Sequence, residues 1–444
     1  MSHQYLSRIE NLLNPVGNIL LNMSYEEAEK RVLSGDGKLV DQIDGQFAIM
    51  VAAGKTVHMA RSIGRPLRYF LAKLVDGPCL IVAERMDEIV RRLEEMGIAD
   101  QFHPSYTRMV PAHHVVQIEL LGCPDPNPKY ERFFNPERNS LPADLDLIGE
   151  QYVARLSQEC DRWLDFIPRK SPIGVLFSGG IDSGAVLVAI YHRLLKRGES
   201  PSRLKAFTLR IDSADGDAAQ AQQFVRECHM EEILEIVDCE SEALNWRETV
   251  RVLEDYKPLD VQSGTMAMTL LRAIRKRYPD WKYLADGDGG DENLKDYPIE
   301  ENPELTIRSV LNNLMLYQEG WGVHAIKHSL TYSGGQSRGH IRTSAPAHHF
   351  GFSGFSPFAL PRVIEIAEAI PFVELTDWDH RKLYELKGEV IRRGIKAVCN
   401  VDMPIFEKRR FQHGAIDKER FAAIFPKDEA EYRFEFLSAY QSAR

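Results

Sequence analysis

The sequence predicts an α/β protein whose larger, C-terminal part is a doubly wound parallel sheet, preceded by a smaller and mostly β region. Three observations lead there. Beyond residue 140, short apolar runs rich in β-branched residues alternate with longer amphipathic stretches, the pattern of parallel strands joined by crossover helices. Before residue 140, strand-like runs follow one another with only Gly-containing turns between them. At residues 173–184 an apolar run breaks into Ser178-Gly179-Gly180 and then into an amphipathic helix, which puts a glycine turn at the carboxyl end of a strand, where such sheets bind ligands.

In chain order, residues 26–33 read as a short helix. Residues 46–52, 57–60, 80–83 and 115–120 read as strands. The Pro- and Asn-rich residues 123–138 read as a linker, with a boundary near Ser140, so the expected domains are 1–140 and 141–444. Residues 141–166 form a long amphipathic helix that leads into the strand at 173. Strands are then expected at 204–211, 232–237 and 282–285, and helices at 218–226, 241–253 and 265–277. From residue 301 the reading becomes helical, with helices at 361–369, 381–393 and 429–444.

The glycine turn after 173–177 is suited to a phosphate group. Glycines let backbone N–H groups converge on an anion, and the helix dipole adds favourable potential at the same place. Ser178 and Ser183 supply hydroxyls, whereas Asp182 can face a polyphosphate only through a cation, for which Mg2+ is the natural choice. This is not a Walker A loop, because no Gly-Lys-Ser/Thr follows. A second turn, residues 286–292, interleaves Asp286, Asp288, Asp291 and Glu292 with three glycines. Unpaired carboxylates are too costly to bury, so these acids face water or a cation; a solvated acidic turn or a lone calcium loop are the plainer readings.

Together these stretches resemble the asparagine synthetase family of N-type ATP pyrophosphatases, enzymes that cleave ATP between the α and β phosphates. Residues 178–183 resemble the family's SGGxDS loop, residues 286–292 its GEGSDE motif, and residues 406–414 its RxKxxFxxG run, with Phe406 in place of the arginine. The resemblance implies that Phe177, Ser178, Gly179, Gly180, Asp182, Ser183, Leu209, Asp286 and Gly287 contact ATP, Phe177 and Leu209 at the adenine. It implies that Asp182 and Asp291 hold Mg2+ on the pyrophosphate and that Lys408 is the catalytic lysine. Asp288 takes the position of the family glutamate, one methylene shorter, as a base or substrate-orienting acid.

The first region resembles the family's Ntn-type glutaminase domain through Asp44-Gly45-Gln46-Phe47-Ala48, the run 60–69 and Ala83-Glu84. It lacks the nucleophilic cysteine: Ser2 and His3 follow Met1, and the first cysteine is Cys79. The stretch before Asp44 also looks too short for the family's first strands. This region is therefore expected to serve packing or oligomerisation, compatible with a homodimer, and not to hydrolyse glutamine.

Composition narrows the function further. A formal charge of −10 argues against a nucleic-acid partner. No apolar run approaches a membrane span, and a cytoplasmic location is expected. The six cysteines lack CxxC spacing, so they read as free thiols, and the paired histidines at 113–114 and 348–349 lack ligand spacing. The expectation is an ATP-dependent, AMP-forming ligase that adenylates a small carboxylate such as aspartate and forms an amide with ammonia, an amine, or ammonia from a separate glutaminase. Ring closure of the β-lactam synthetase kind, a pyrophosphatase acting on tRNA, and a non-catalytic nucleotide-binding partner subunit are the alternatives.

Overall fold

The computed structural model describes residues 8–75, 77–120, 128–296, 306–312, 338–407 and 414–441. The first region contributes ten strands: β1 (Ile9–Asn11), β2 (Ile19–Leu20), β3 (Gly45–Gln46), β4 (Ala48–Ala53), β5 (Thr56–Arg61), β6 (Arg68–Leu74), β7 (Gly77–Ala83), β8 (Arg108–Met109), β9 (His114–Glu119) and β10 (Lys129–Arg132). They form two four-stranded sheets, ordered β1-β7-β6-β8 and β10-β9-β5-β4, with β2 and β3 as a small separate ribbon. Side-chain alternation explains the layering. Val57 and Met59 of one sheet meet Tyr69, Leu80 and Val82 of the other in a shared apolar cluster. The intervening Phe70, Ala72, Cys79, Ile81 and Ala83 point the other way and join a cluster containing Phe207, Leu209, Trp246 and Tyr432 of the second region. The sheet β1-β7-β6-β8 is thus apolar on both faces, and its outer face is buried by the larger domain.

Two expectations for this region change. Part of the expected linker is β10, which pairs antiparallel with β9 from Lys129↔Gln117 to Arg132↔His114 and so belongs to the sheet. The stretch before Asp44, short as it is, still supplies β1, parallel to β7 with Ile9 opposite Leu80, and β2. The helix expected at 26–33 forms as Tyr25–Ser34, opened by the Ser24 side chain accepting from Glu27 N and closed by Gly35 in the left-handed region.

The second region holds β11 (Ile173–Leu176), β12 (Leu204–Ile211), β13 (Leu234–Cys239), β14 (Tyr283–Ala285) and β15 (Ser353–Phe355), all parallel, in the order β13-β12-β11-β14-β15. This is the doubly wound sheet. Its order reverses between β11 and β14, so the loops after those two strands open at the switch point. The strand β15 is absent from the sequence reading because Ser353-Gly354-Phe355 carries little β propensity; pairing with β14 overrides it. The expected helix at 241–253 is a 3-10 turn, Ser241–Ala243, followed by Trp246–Leu253, with Asn245 capping the second piece. The helix expected at 265–277 begins earlier, at Pro258, where the proline suits a first turn. Among the described residues no helix is long and apolar enough to cross a membrane.

The helices Leu145–Phe166 and Lys382–Cys399 pack closely through two glycines. A Cβ on Gly394 would come within 2.1 Å of the Gly149 carbonyl oxygen, and one on Gly149 within 2.6 Å of the Val390 oxygen. Since Lys382–Cys399 also carries a site residue, this contact sets its depth. Gly394→Ala is therefore expected to lower stability by about 1–3 kcal/mol, the range for overpacking a tight contact, read as a shift in the urea midpoint.

Candidate active site

The phosphate-type loop is built as its sequence dictates. Phe177 N donates to Phe207 O at 2.9 Å, which extends the β11–β12 pairing to the lip of the turn. Gly179 has φ +76°, and a Cβ there would lie 2.8 Å from Ala221 N, so only glycine fits. Gly180 then opens the helix Ile181–Lys196. The hydroxyls brace the loop: Ser183 Oγ accepts from Ser178 N at 3.3 Å and lies 3.3 Å from Ser178 Oγ, which accepts from Gly180 N at 3.4 Å. Phe177 and Leu209 are buried in separate apolar clusters, Phe177 with its ring edge-on to Phe224 at 5.1 Å.

The acidic turn is pressed against this loop. A Cβ on Gly287 would meet Ser183 N at 2.6 Å, and one on Gly290 would meet Asp182 Oδ1 at 2.2 Å, so the two glycines permit the contact of the two turns. The turn is held from behind by Asn293, whose side-chain amide donates to Phe358 O at 2.9 Å and to Tyr152 Oη at 3.1 Å, and by the buried pair Lys295–Glu368.

Between the turns lies a residue that the sequence reading missed. Lys387, on the helix Lys382–Cys399 and 2% exposed, places its Nζ 2.6 Å from Asp182 Oδ2, 2.5 Å from Asp291 Oδ1 and 3.6 Å from Asp296 Oδ2. Burial alone would push this ammonium's pKa down, but the carboxylates of Asp182, Asp291 and Asp296 more than offset it and hold it well above its ordinary value. The one sequence signal is positional. Lys387 sits on the stripe of Leu383, Leu386, Val390 and Ile391, where a cation is unexpected unless acids meet it.

The other side of the acidic turn is rich in buried carboxyls. Asp286 is 4% exposed and accepts from Asp288 N at 3.0 Å; burial pushes its pKa up to about 7. Asp288 is raised well above its ordinary value by burial and by Asp286, partly offset by a bond to Thr343 and by Arg342. Glu292 is raised by burial and by Asp291. Thr343 and Arg342 come from the helix Arg338–His349, and Arg342 pairs with the fully buried Asp260 at 2.9 Å.

Lys408 lies outside the described residues. Its flanks are anchored beside the site: Tyr384 Oη donates to Phe406 O, a Cβ on Gly216 would lie 2.4 Å from Gly414 O, and Ile211 N donates to Ala415 O at 3.0 Å. Ser2 and His3 also lie outside the described residues. Among the described residues, the one group of three acids spaced for a cation is the exposed Asp212, Glu240 and Glu242, of which Asp212 and Glu242 pair with Arg420.

Residues 169–344 match the family model for asparagine synthase. These residues form an asparagine synthase domain. The match opens just before β11 and closes just after Thr343, so it spans the phosphate loop, the acidic turn, Asp260 and Arg342, while Lys387 and Lys408 lie beyond it. No curated protein matches the chain. That domain supports an ATP-using ligase of the amidotransferase type in general, which fits a glycine turn on a helix N-terminus at the switch point of a parallel sheet.

Two outcomes follow from this geometry. Lys387→Met leaves three carboxylates crowded without their cation. It is expected to cost about 1–3 kcal/mol, less than a fully buried pair because Asp291 is partly exposed; added Mg2+ should then raise the variant's melting temperature more than the parent's. The second concerns Asp286. Its ordinary pKa of 3.8 is raised to about 7 in the folded protein, so between those values the folded state binds more protons than the unfolded chain, and stability falls as pH rises. Asp286→Asn removes this titration, and its stability relative to the parent should climb from pH 4 to pH 7 in urea melts, about where the two pKa values bracket.

Proposed function

We propose that this chain, with its asparagine synthase domain, is an AMP-forming carbon–nitrogen ligase that adenylates a small carboxylate and transfers it to ammonia or an amine. The observation that carries the reading is the convergence of Asp182 and Asp291 on one ammonium at the mouth of the Ser178–Gly180 turn. Two carboxylates that share a cation at a phosphate loop suit Mg2+, which takes one or two protein carboxylates and completes its shell with phosphate oxygens and water. Asp182 and Asp291 would hold the ion, which when bound neutralises charge on the β and γ phosphates of ATP.

The chain's own groups account for the rest. Backbone N–H groups of the turn and the N-terminus of Ile181–Lys196 bind the phosphates. A substrate carboxylate oxygen attacks the α-phosphorus, the bond to the β-phosphate bridging oxygen breaks, and pyrophosphate leaves with the electron pair. Lys387 and, in this reading, Lys408 stabilise the charge that grows on that leaving group. The nitrogen nucleophile then attacks the acyl carbon, AMP departs, and the nucleophile's proton passes to a base, for which Asp288 beside Thr343 is the candidate. Aspartate is the first acid to test. The shortened side chain at Asp288 keeps an amine-closing, β-lactam-type reaction as the second reading, since it enlarges the space next to the acidic turn by one methylene.

The test is pyrophosphate release from ATP and Mg2+ with aspartate, with ammonium or glutamine as the nitrogen source and the product followed by mass. Ammonium-dependent amide formation without response to glutamine is the expected result. Asp182→Ala and Lys408→Ala should each lower pyrophosphate release by about a hundredfold or more, with the protein still folded. Full release in either variant would remove the mechanism.

A further inference from the structure

The two elements that wall the acid side of the site are both docked on the β-rich region. One is the turn between the helices Trp246–Leu253 and Pro258–Arg277. Its first residue, Glu254, has φ +53° and is 1% exposed, a strained conformation for a glutamate, costing about 1–3 kcal/mol. Glycine or asparagine would be the ordinary choice at this helix end, so the side chain is what the position requires. The Glu254 carboxylate receives Arg68 Nη2 at 2.8 Å, Met86 N at 2.6 Å and Arg85 Nη2 at 3.5 Å, all from the β-rich region. Arg68 is 2% exposed, and Arg85 also donates to Val252 O at 2.9 Å and Arg251 O at 3.0 Å, closing the end of Trp246–Leu253. The other element is the helix Arg338–His349, whose His348 Nδ1 lies 3.9 Å from Glu84, the carboxylate that pairs with Arg65.

From Glu254 the path to the site is short. Asp255 Oδ1 accepts from Tyr256 N at 2.7 Å and Lys257 N at 3.1 Å, which locks the turn. The next helix starts at Pro258, and Asp260 in its first turn holds Arg342 beside Asp288 and Glu292. We infer that the β-rich domain is a positioning element of the ligase site: Arg68 and Arg85 fix Glu254, and Glu254 sets the turn that aims Asp260 and Arg342 at the acidic glycine turn. Glu254 is a positioning residue and touches no reacting atom. The inference rests on the ligase reading only for its kinetic consequence, because the contacts themselves are independent of substrate.

The experiment uses the full chain with Glu254→Gln, Arg85→Met and Arg68→Met. Arg85 is one-quarter exposed, so its variant remains informative if loss of buried Arg68 prevents folding. Backbone hydrogen exchange is measured on the protein without ligand, and MgATP affinity by calorimetry. Exchange at residues 254–262 and 338–349 is expected to accelerate by about tenfold, with residues 173–190 and MgATP affinity unchanged. In the pyrophosphate assay with aspartate, KM for the carboxylate should rise while KM for ATP holds. Equal acceleration across the phosphate loop would reduce the contact to general stability, and unchanged exchange at 254–262 would remove it; either result overturns the inference. If the parent shows no turnover with aspartate, aspartate is removed as the substrate while the exchange data still decide the positioning.

Discussion

The arrangement of this site depends on one ammonium among three carboxylates. Asp182 belongs to the helix that follows β11, Asp291 and Asp296 to the stretch that follows β14, and Lys387 to a helix that arrives a hundred residues later in the chain. Bringing three acids to the mouth of a phosphate loop would be prohibitive by itself, since each would be partly desolvated beside like charges. A lysine buried on the apolar stripe of Lys382–Cys399 makes the crowding tolerable. The depth of that lysine is set in turn by the glycine contact between Gly149 and Gly394, about two turns further along its helix, so helix packing bears on the electrostatics of the loop.

The same logic organises the acid side. Asp286, Asp288 and Glu292 are all held above their ordinary pKa by burial; Arg342, itself paired with Asp260, offsets part of this at Asp288 and Glu292, and Lys387 also does so at Glu292. This side of the turn therefore combines carboxyls that hold protons more tightly than usual with a fixed guanidinium. The β-rich region contributes no described side chain to it. It contributes position, through buried ion pairs whose removal leaves a charge uncompensated.

Much of this was legible in the sequence because it is local. A strand that runs into Ser-Gly-Gly and then a helix is specified within a dozen residues, and so is a glycine-interleaved acidic turn after a second strand. The helix bounds at 361–369 and the strand at 204–211 were readable for the same reason: periodicity and capping act over neighbouring residues. The misses were non-local. Lys129–Arg132 reads as linker because Pro and Asn surround it, and only β9 makes it a strand; Ser353–Phe355 has no propensity of its own and is a strand because β14 offers an unpaired edge.

The sequence by itself determined the doubly wound class, the glycine turn after the strand and the acidic turn, since each is written in contiguous residues; that Asp182 and Asp291 face each other was implied only by the resemblance. The tertiary structure alone decided that Lys387 joins Asp182 to Asp291, that Arg342 answers Asp260 beside Asp288, and that Glu254 is held by Arg68 and Arg85. The physical reason is one of range. Backbone conformation follows from neighbours a few residues apart, whereas charge compensation in a buried site depends on which distant side chains the packing of helices and sheets brings within a few ångströms.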